Sequence, residues 1–324
     1  MPGATHPVAA VLRERRLAGS RPGAREDPHR VALVLEGGGM RGVVSAGMTA
    51  ALERLGLTPC FDLVVGASAG AINGAALLAG AARRGAAAYW GPLASRSFVS
   101  PMKVVRRKPV IDVKQILDLA AGLDAAGHEE VLRSGADLLC VAVDVETART
   151  VVFSGMRTQD ELWAALLASS RMPWAGGAPV EIGGRRYLDG GMAAPIPVQE
   201  ALAAGATHVL ALQTRPFGVP RRSASRVGDW FIERHLGRLN PALADLYRRR
   251  VAEYEVLVDD IGRRSARAAG PPPHVLGIRP AAGTPCVGQL ERRSAVLAEA
   301  AADAEALVEA ALSSGTWMRA APAA

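Results

Sequence analysis

The chain has 324 residues, of which 49% are apolar and 4% aromatic, with a net charge of +7, a size and composition that suit one large buried core with a smaller C-terminal appendage. No apolar run reaches the roughly 18 residues of a membrane span, and the basic Arg15-Arg16 is not followed by an apolar stretch of signal-peptide length, so secretion is unsupported. The arginine-rich excess suits anionic lipid or a solvated basic face, and the absence of interleaved aromatics argues against nucleic acid.

Residues 1–29 mix Arg, Gly and Pro without apolar periodicity and read as a disordered tail, with order beginning near Arg30. Val31–Leu35 is a short apolar run stopped by Gly37-Gly38-Gly39, the pattern of a strand buried on both faces. From Gly42 to Leu55 the spacing is helical and closes at Gly56. A second buried strand, Phe61–Val65, runs into Gly66-Ala67-Ser68-Ala69-Gly70 and a small-residue helix ending near Ala79. Strand, helix, strand, helix in this order calls for a parallel pair with covered faces.

An irregular stretch from Gly91 to Pro109 and two short helical patterns lead to a core strand at Ala136–Val143, with Thr150–Phe153 as its hairpin partner. A helix over Gln159–Ala168, a Pro- and Gly-rich turn region, a hairpin over Val180–Leu188 and a core strand at Thr207–Leu212 follow. The remainder predicts Arg-rich amphipathic helices near 228–262, a strand near Val275–Ile278 and a helix over Gln289–Leu312. The expected organisation is therefore a tail (1–29), a core (30–215) and a mainly helical C-terminal extension (216–324) packed on it. Cys60, Cys140 and Cys286 form no CxxC pair and read as buried, reduced thiols.

Three segments carry chemistry. Gly66-Ala67-Ser68-Ala69-Gly70 is a G-x-S-x-G between a strand and a helix, where a sharp turn projects the serine toward the helix N-terminus. A glycine-softened turn with a helix-capping serine has the same spelling. Glu36-Gly37-Gly38-Gly39-Met40-Arg41-Gly42 offers bare backbone N–H groups that suit an oxyanion or a phosphate. Gly37, Gly39 and Gly42 also satisfy a dinucleotide fingerprint, but the acidic residue that fingerprint needs is not at the second strand's end; Asp62 stands at its beginning. Asp189-Gly190-Gly191 closes a strand, and such a turn either aims a carboxylate into a site or is an ordinary turn. All three lie at strand ends, where ligand sites of open α/β sheets gather.

In this order EGGGMRG, GASAG and DGG resemble the patatin-like phospholipase family, its bacterial intracellular members in particular, over roughly residues 31–215. Ala168-Ser169-Ser170-Arg171-Met172-Pro173 also resembles the family's segment ahead of DGG. The resemblance implies a three-layer α/β/α fold on a mainly parallel sheet and a serine acyl hydrolase acting on fatty acyl esters of lipids. It further implies Ser68 as nucleophile, Asp189 as base and Gly37, Gly38 and Gly39 as oxyanion donors. It also implies Arg41, Gly66, Gly70, Gly190 and Gly191 as supporting residues. Glu36 stands where many members have Asp, and the Asn often found after DGG is missing.

Neither cofactor nor metal is expected, since no HExxH, clustered His and Cys or EF-hand pattern occurs. Two other readings remain. A Ser-Asp-His triad would draw on His208, His235 or His274. A non-catalytic module would bind lipid or protein through Lys103–Lys108. Residues 92–110 are a candidate lid or surface loop, and the expected location is cytoplasmic with peripheral contact to anionic membrane.

Overall fold

A computed structural model describes residues 6–95, 125–173, 177–221, 226–267 and 269–313. The central sheet has eight strands: β1 (Val31–Leu35), β2 (Leu63–Ala67), β3 (Asp137–Asp144), β4 (Thr150–Phe153), β5 (Val180–Ile182), β6 (Arg185–Asp189), β7 (His208–Leu212) and β8 (His274–Ile278). They lie in the order β5-β6-β3-β2-β1-β7-β8, with β4 also paired to β3. The run β3-β2-β1-β7-β8 is parallel, while β4 and β6 pair antiparallel to β3, and β5 to β6.

Every residue of β1 and β2 is buried, as continuous apolar runs in a parallel sheet require. Alternation along β1 feeds two cores. Val31, Leu33 and Leu35 pack on one face with α2 (Gly42–Arg54), α3 (Ala69–Leu78), α4 (Ala82–Trp90), α6 (Gln159–Ser169) and α10 (Ser294–Ser313). Ala32 and Val34 pack on the other with α7 (Val198–Ala203) and α9 (Pro241–Ser265). Sheet between helix layers gives the three-layer α/β/α architecture expected from the sequence. The other described helices are α1 (Pro7–Leu17), α5 (Ala125–Arg133) and α8 (Arg226–Leu239).

Strand order advances from β1 through β2 to β3 on one side, and from β7 to β8 on the other. Between β1 and β7 the direction reverses, and a crevice outside the carboxyl ends of the strands is the usual place for a ligand at such a point.

Three expectations are corrected. The stretch 1–29 is not a tail where it is described: α1 is capped by His6, buries Val8, Val11 and Leu12, and docks through Arg15. That guanidinium meets Asp27, Asp62 and the carbonyl oxygens of Cys60 and His29. The segment is held by a charged hub, which apolar periodicity does not reveal. Second, a division at 215 cuts through one sheet, because β8 pairs with β7 in register from His208↔His274 to Leu212↔Ile278. Third, Cys60 and Cys140 are buried but Cys286 is exposed, on an irregular segment ahead of α10. The Lys103–Lys108 segment and most of 92–110 lie outside the described residues.

Candidate active site

β2 ends at Ala67 and α3 begins at Ala69, so one residue must turn the chain. Ser68 does so with φ 57° and ψ −130°, a strained conformation for a residue bearing a Cβ, costing on the order of 1–3 kcal/mol. Glycines on either side permit the close packing behind this turn. A Cβ on Gly66 would stand 2.4 Å from the Ala71 nitrogen, and one on Gly70 2.3 Å from the Leu35 carbonyl oxygen.

Sheet register brings the carboxylate to the serine. Ala67 pairs with Val141, and the next residue of β3, Ala142, pairs with Asp189 across β6. Ser68 and Asp189 thus stand at one level on either side of β3, and the Ser68 hydroxyl donates to Asp189 Oδ2 at 2.7 Å. Gly191 N–H donates to Oδ1 at 2.7 Å. Gly190 lies so close to β3 that a Cβ there would be 2.1 Å from the Val141 carbonyl oxygen. Burial pushes the Asp189 carboxyl up to about 6, against the pull of the Ser68 and Gly191 hydrogen bonds and of the Arg221 charge.

The end of α6 and the residues just after it brace both halves. Ser68 N–H donates to the Ser169 hydroxyl at 3.0 Å and to its carbonyl oxygen at 3.1 Å, while the Ser169 hydroxyl donates to the Val141 carbonyl oxygen. Asp189 N–H donates to the Arg171 carbonyl oxygen at 2.9 Å.

Gly37, Gly38 and Gly39 line the same cleft as Ser68. Gly37 packs against the turn, where a Cβ would be 2.3 Å from the Ala67 carbonyl oxygen, and Gly38 has φ 150°, a region that favours glycine. Among the described residues the N–H groups of Gly37 and Gly38 have no acceptor, which leaves them open to a ligand oxygen. Beneath this loop, Glu36 accepts from Thr214 N–H at 2.6 Å and from the Tyr254 hydroxyl at 3.1 Å. Arg41 is buried, donates to the Thr214 hydroxyl at 3.0 Å and lies 3.7 Å from Glu36. Met40 N–H donates to the Gln289 carbonyl oxygen at 3.0 Å, so the C-terminal segment ties down the far side.

Ser68, Asp189, Arg41 and the glycines of the three motifs therefore meet in one place. Ser169 lies in the Ala168–Pro173 stretch already singled out in the sequence, whereas Thr214, Arg215, Arg221, Tyr254 and Gln289 were missed. Thr214 and Arg215 follow directly on β7, and the end of a parallel strand was the one signal that marked them. The alternative bases are elsewhere: His208 and His274 begin their strands, at the opposite end of the sheet from Ser68, and His235 is exposed on α8. Asp62, at the beginning of the second strand and not at the end where a dinucleotide reading needs an acid, is bound to Arg15, Arg25 and the Val31 N–H at that same far end. Among the described residues no group of three or more His, Cys, Asp or Glu could hold a metal ion.

A hydroxyl bonded to a buried carboxylate of raised proton affinity, facing bare amides at a helix N-terminus, is an arrangement able to support acyl transfer. A family model described as patatin-like phospholipase matches residues 33–202. Among curated proteins, the uncharacterized protein YjjU of Escherichia coli (strain K12) is 32% identical over 197 residues, covering 58% of this chain and 53% of that protein. The chain thus matches about half the length of this relative. Among solved structures, the crystal structure of VipD from Legionella pneumophila aligns at 14% identity and a TM-score of 0.43, over 89% of this chain and 67% of that one.

Proposed function

Because the chain belongs to the patatin-like phospholipase family, a family of lipid acyl hydrolases, we propose that it is a serine hydrolase cleaving fatty acyl esters of lipids with a Ser68-Asp189 dyad. The observation that carries this reading is the 2.7 Å hydrogen bond from the Ser68 hydroxyl to Asp189 on a serine held at φ 57°. Asp189 accepts the hydroxyl proton as Ser68 Oγ attacks the acyl carbonyl carbon. The N–H groups of the Gly37–Gly39 loop hold the oxyanion, and the proton then passes from Asp189 to the departing alkoxide. Water, deprotonated by the same carboxylate, releases the fatty acid and restores the serine.

Peripheral contact with a membrane completes the proposal. Val227, Trp230 and Phe231 are exposed together on α8, beside Arg234, whose guanidinium lies 5.6 Å from the Trp230 ring. Rings and cations on one helix suit the interface of an anionic bilayer. Asp229 of the same helix bonds Tyr247 and Arg250, which line the Ser68 cleft. No described helix is long and apolar enough to cross a membrane.

The test is acyl ester hydrolysis together with labelling by a fluorophosphonate probe. Ser68→Ala should lose both, with turnover falling on the order of 10⁶-fold. Hydrolysis by the variant at the wild-type rate would sink the assignment.

A further inference from the structure

The glycine loop beside Ser68 is held from below by a chain of buried side chains that starts on α9. Tyr254 is 1% exposed, and the guanidinium groups of Arg215 and Arg221 each lie 5.6 Å from the centre of its ring. Its hydroxyl donates to Glu36 Oε1 at 3.1 Å, while Thr214 N–H donates to Oε2 of the same carboxyl at 2.6 Å. The Thr214 hydroxyl in turn accepts from Arg41 Nε at 3.0 Å and donates to the Gly37 carbonyl oxygen at 3.4 Å. Thr214 and Tyr254 stand 178 and 218 positions from Glu36, beyond residues 33–202 of the family match.

The last bond of this chain decides where an amide of the loop points. The Gly37 carbonyl and the Gly38 N–H belong to one planar, trans peptide unit, so they face opposite ways. An oxygen turned down onto Thr214 therefore turns the Gly38 N–H up, toward the cleft that Gly38 shares with Ser68. A glycine at φ 150° has no side chain to oppose a flip of that peptide, so the restraint comes from its surroundings. Arg41 closes the remaining side: its N–H donates to the Gly38 carbonyl oxygen at 3.2 Å, and its Nη2 lies 2.6 Å from where a Gly38 Cβ would stand. Burial, and then the Glu36 charge, raise the Tyr254 phenol well above its usual range, so its proton stays available to Glu36 at any working pH.

We infer that Tyr254 is a positioning residue for acyl transfer: through Glu36 and Thr214, its hydroxyl keeps the Gly37–Gly38 peptide in the orientation that offers the Gly38 N–H to an oxyanion. This role rests on the hydrolase reading above and adds a requirement to it, that α9 be docked before the loop can serve. Glu36 also acquires a reason, since its extra methylene over Asp lets one carboxyl meet both Thr214 and Tyr254.

Full-length wild type, Tyr254→Phe, Glu36→Asp and the double variant are assayed on a p-nitrophenyl acyl ester, and segment 36–42 of each is followed by amide hydrogen exchange. Phe keeps the ring beside Arg215 and Arg221 and removes only the hydroxyl; Asp, a methylene shorter, should lose the same bond from its other side. An oxyanion contact is made in the transition state, so each single variant should lower kcat by ~10- to 100-fold with KM changed by no more than about two-fold. Because both break one bond, the double variant should lose no more than the worse single. Exchange of segment 36–42 should quicken several-fold in each variant, while that of α1 stays as in the wild type. Wild-type kcat in Tyr254→Phe overturns the role, and so do losses that multiply in the double variant. A fall in kcat with loop exchange unchanged overturns the positioning route. If Tyr254→Phe does not fold, Glu36→Asp carries both readouts and is held to the same outcomes. Failure of the wild type to hydrolyse the ester strikes the hydrolase reading instead, and loop exchange then decides whether Tyr254 holds the peptide.

Discussion

Asp189 is asked to be both buried and ionised, and the two demands conflict. Acting as base it must carry its charge, so kcat/KM should climb with pH through about 6 and level off above it; a profile flat from pH 5 to 8 would contradict the role. The same shift bears on stability. The folded carboxyl holds its proton more tightly than the unfolded one, whose value is 3.8, so stability falls as pH rises from about 4 to 6 and the whole penalty is present at neutrality. Asp189→Asn should therefore abolish turnover and yet raise Tm, relieving up to about 3 kcal/mol at pH 7 and much less at pH 4. Calorimetric Tm values at both pH values check this. Ser68 and Asp189 were legible because each is spelled into a glycine turn. Thr214 and Gln289 were not, since they act through hydrogen bonds to residues far off in sequence, such as the Glu36–Thr214 contact across 178 positions.

At the scale of elements, the strands were readable as short apolar runs, with ends shifted by one or two residues, and α1 was not. Its inward stripe is Val8, Val11, Leu12 and then Arg15, so the pattern breaks at the residue that anchors it. Arg15 holds the Asp27 carboxyl down at about 2. Arg15→Ala would take the guanidinium partner from Asp27 and leave Asp62 with Arg25 alone, and should destabilise the fold by ~3 kcal/mol, read as a lowered denaturant midpoint. On α8 the expectation concerns interface, not fold. Trp230→Ala with Phe231→Ala should weaken cosedimentation with anionic vesicles several-fold while leaving Tm within a degree or two, because both rings are more than half exposed. Unchanged cosedimentation would remove this surface from the account.

Across the whole molecule, the two ends of the sheet do different work. The carboxyl ends hold the serine, the carboxylate and the arginines. The amino ends gather histidines: the His29 and His208 rings lie 4.5 Å apart, and His208 and His274 5.2 Å apart, with His6 edge-on to His274. Burial first, and then like charge from neighbouring histidines, lowers His6 and His208 to about 4. Both are therefore neutral in the folded chain and protonate more readily when it unfolds. Stability is full above about 6.5 and drains away as pH falls toward 4, so Tm should drop between pH 7 and 5, less steeply when His6→Gln removes one of the two. Sequence order concealed this division, because strand ends far apart along the chain become neighbours only once β7 slots in beside β1. The Met40–Gln289 bond has a comparable reach in time. During synthesis the serine and its carboxylate emerge long before residue 289, so a nascent chain holds its reactive pair without the prop beneath its amide cradle.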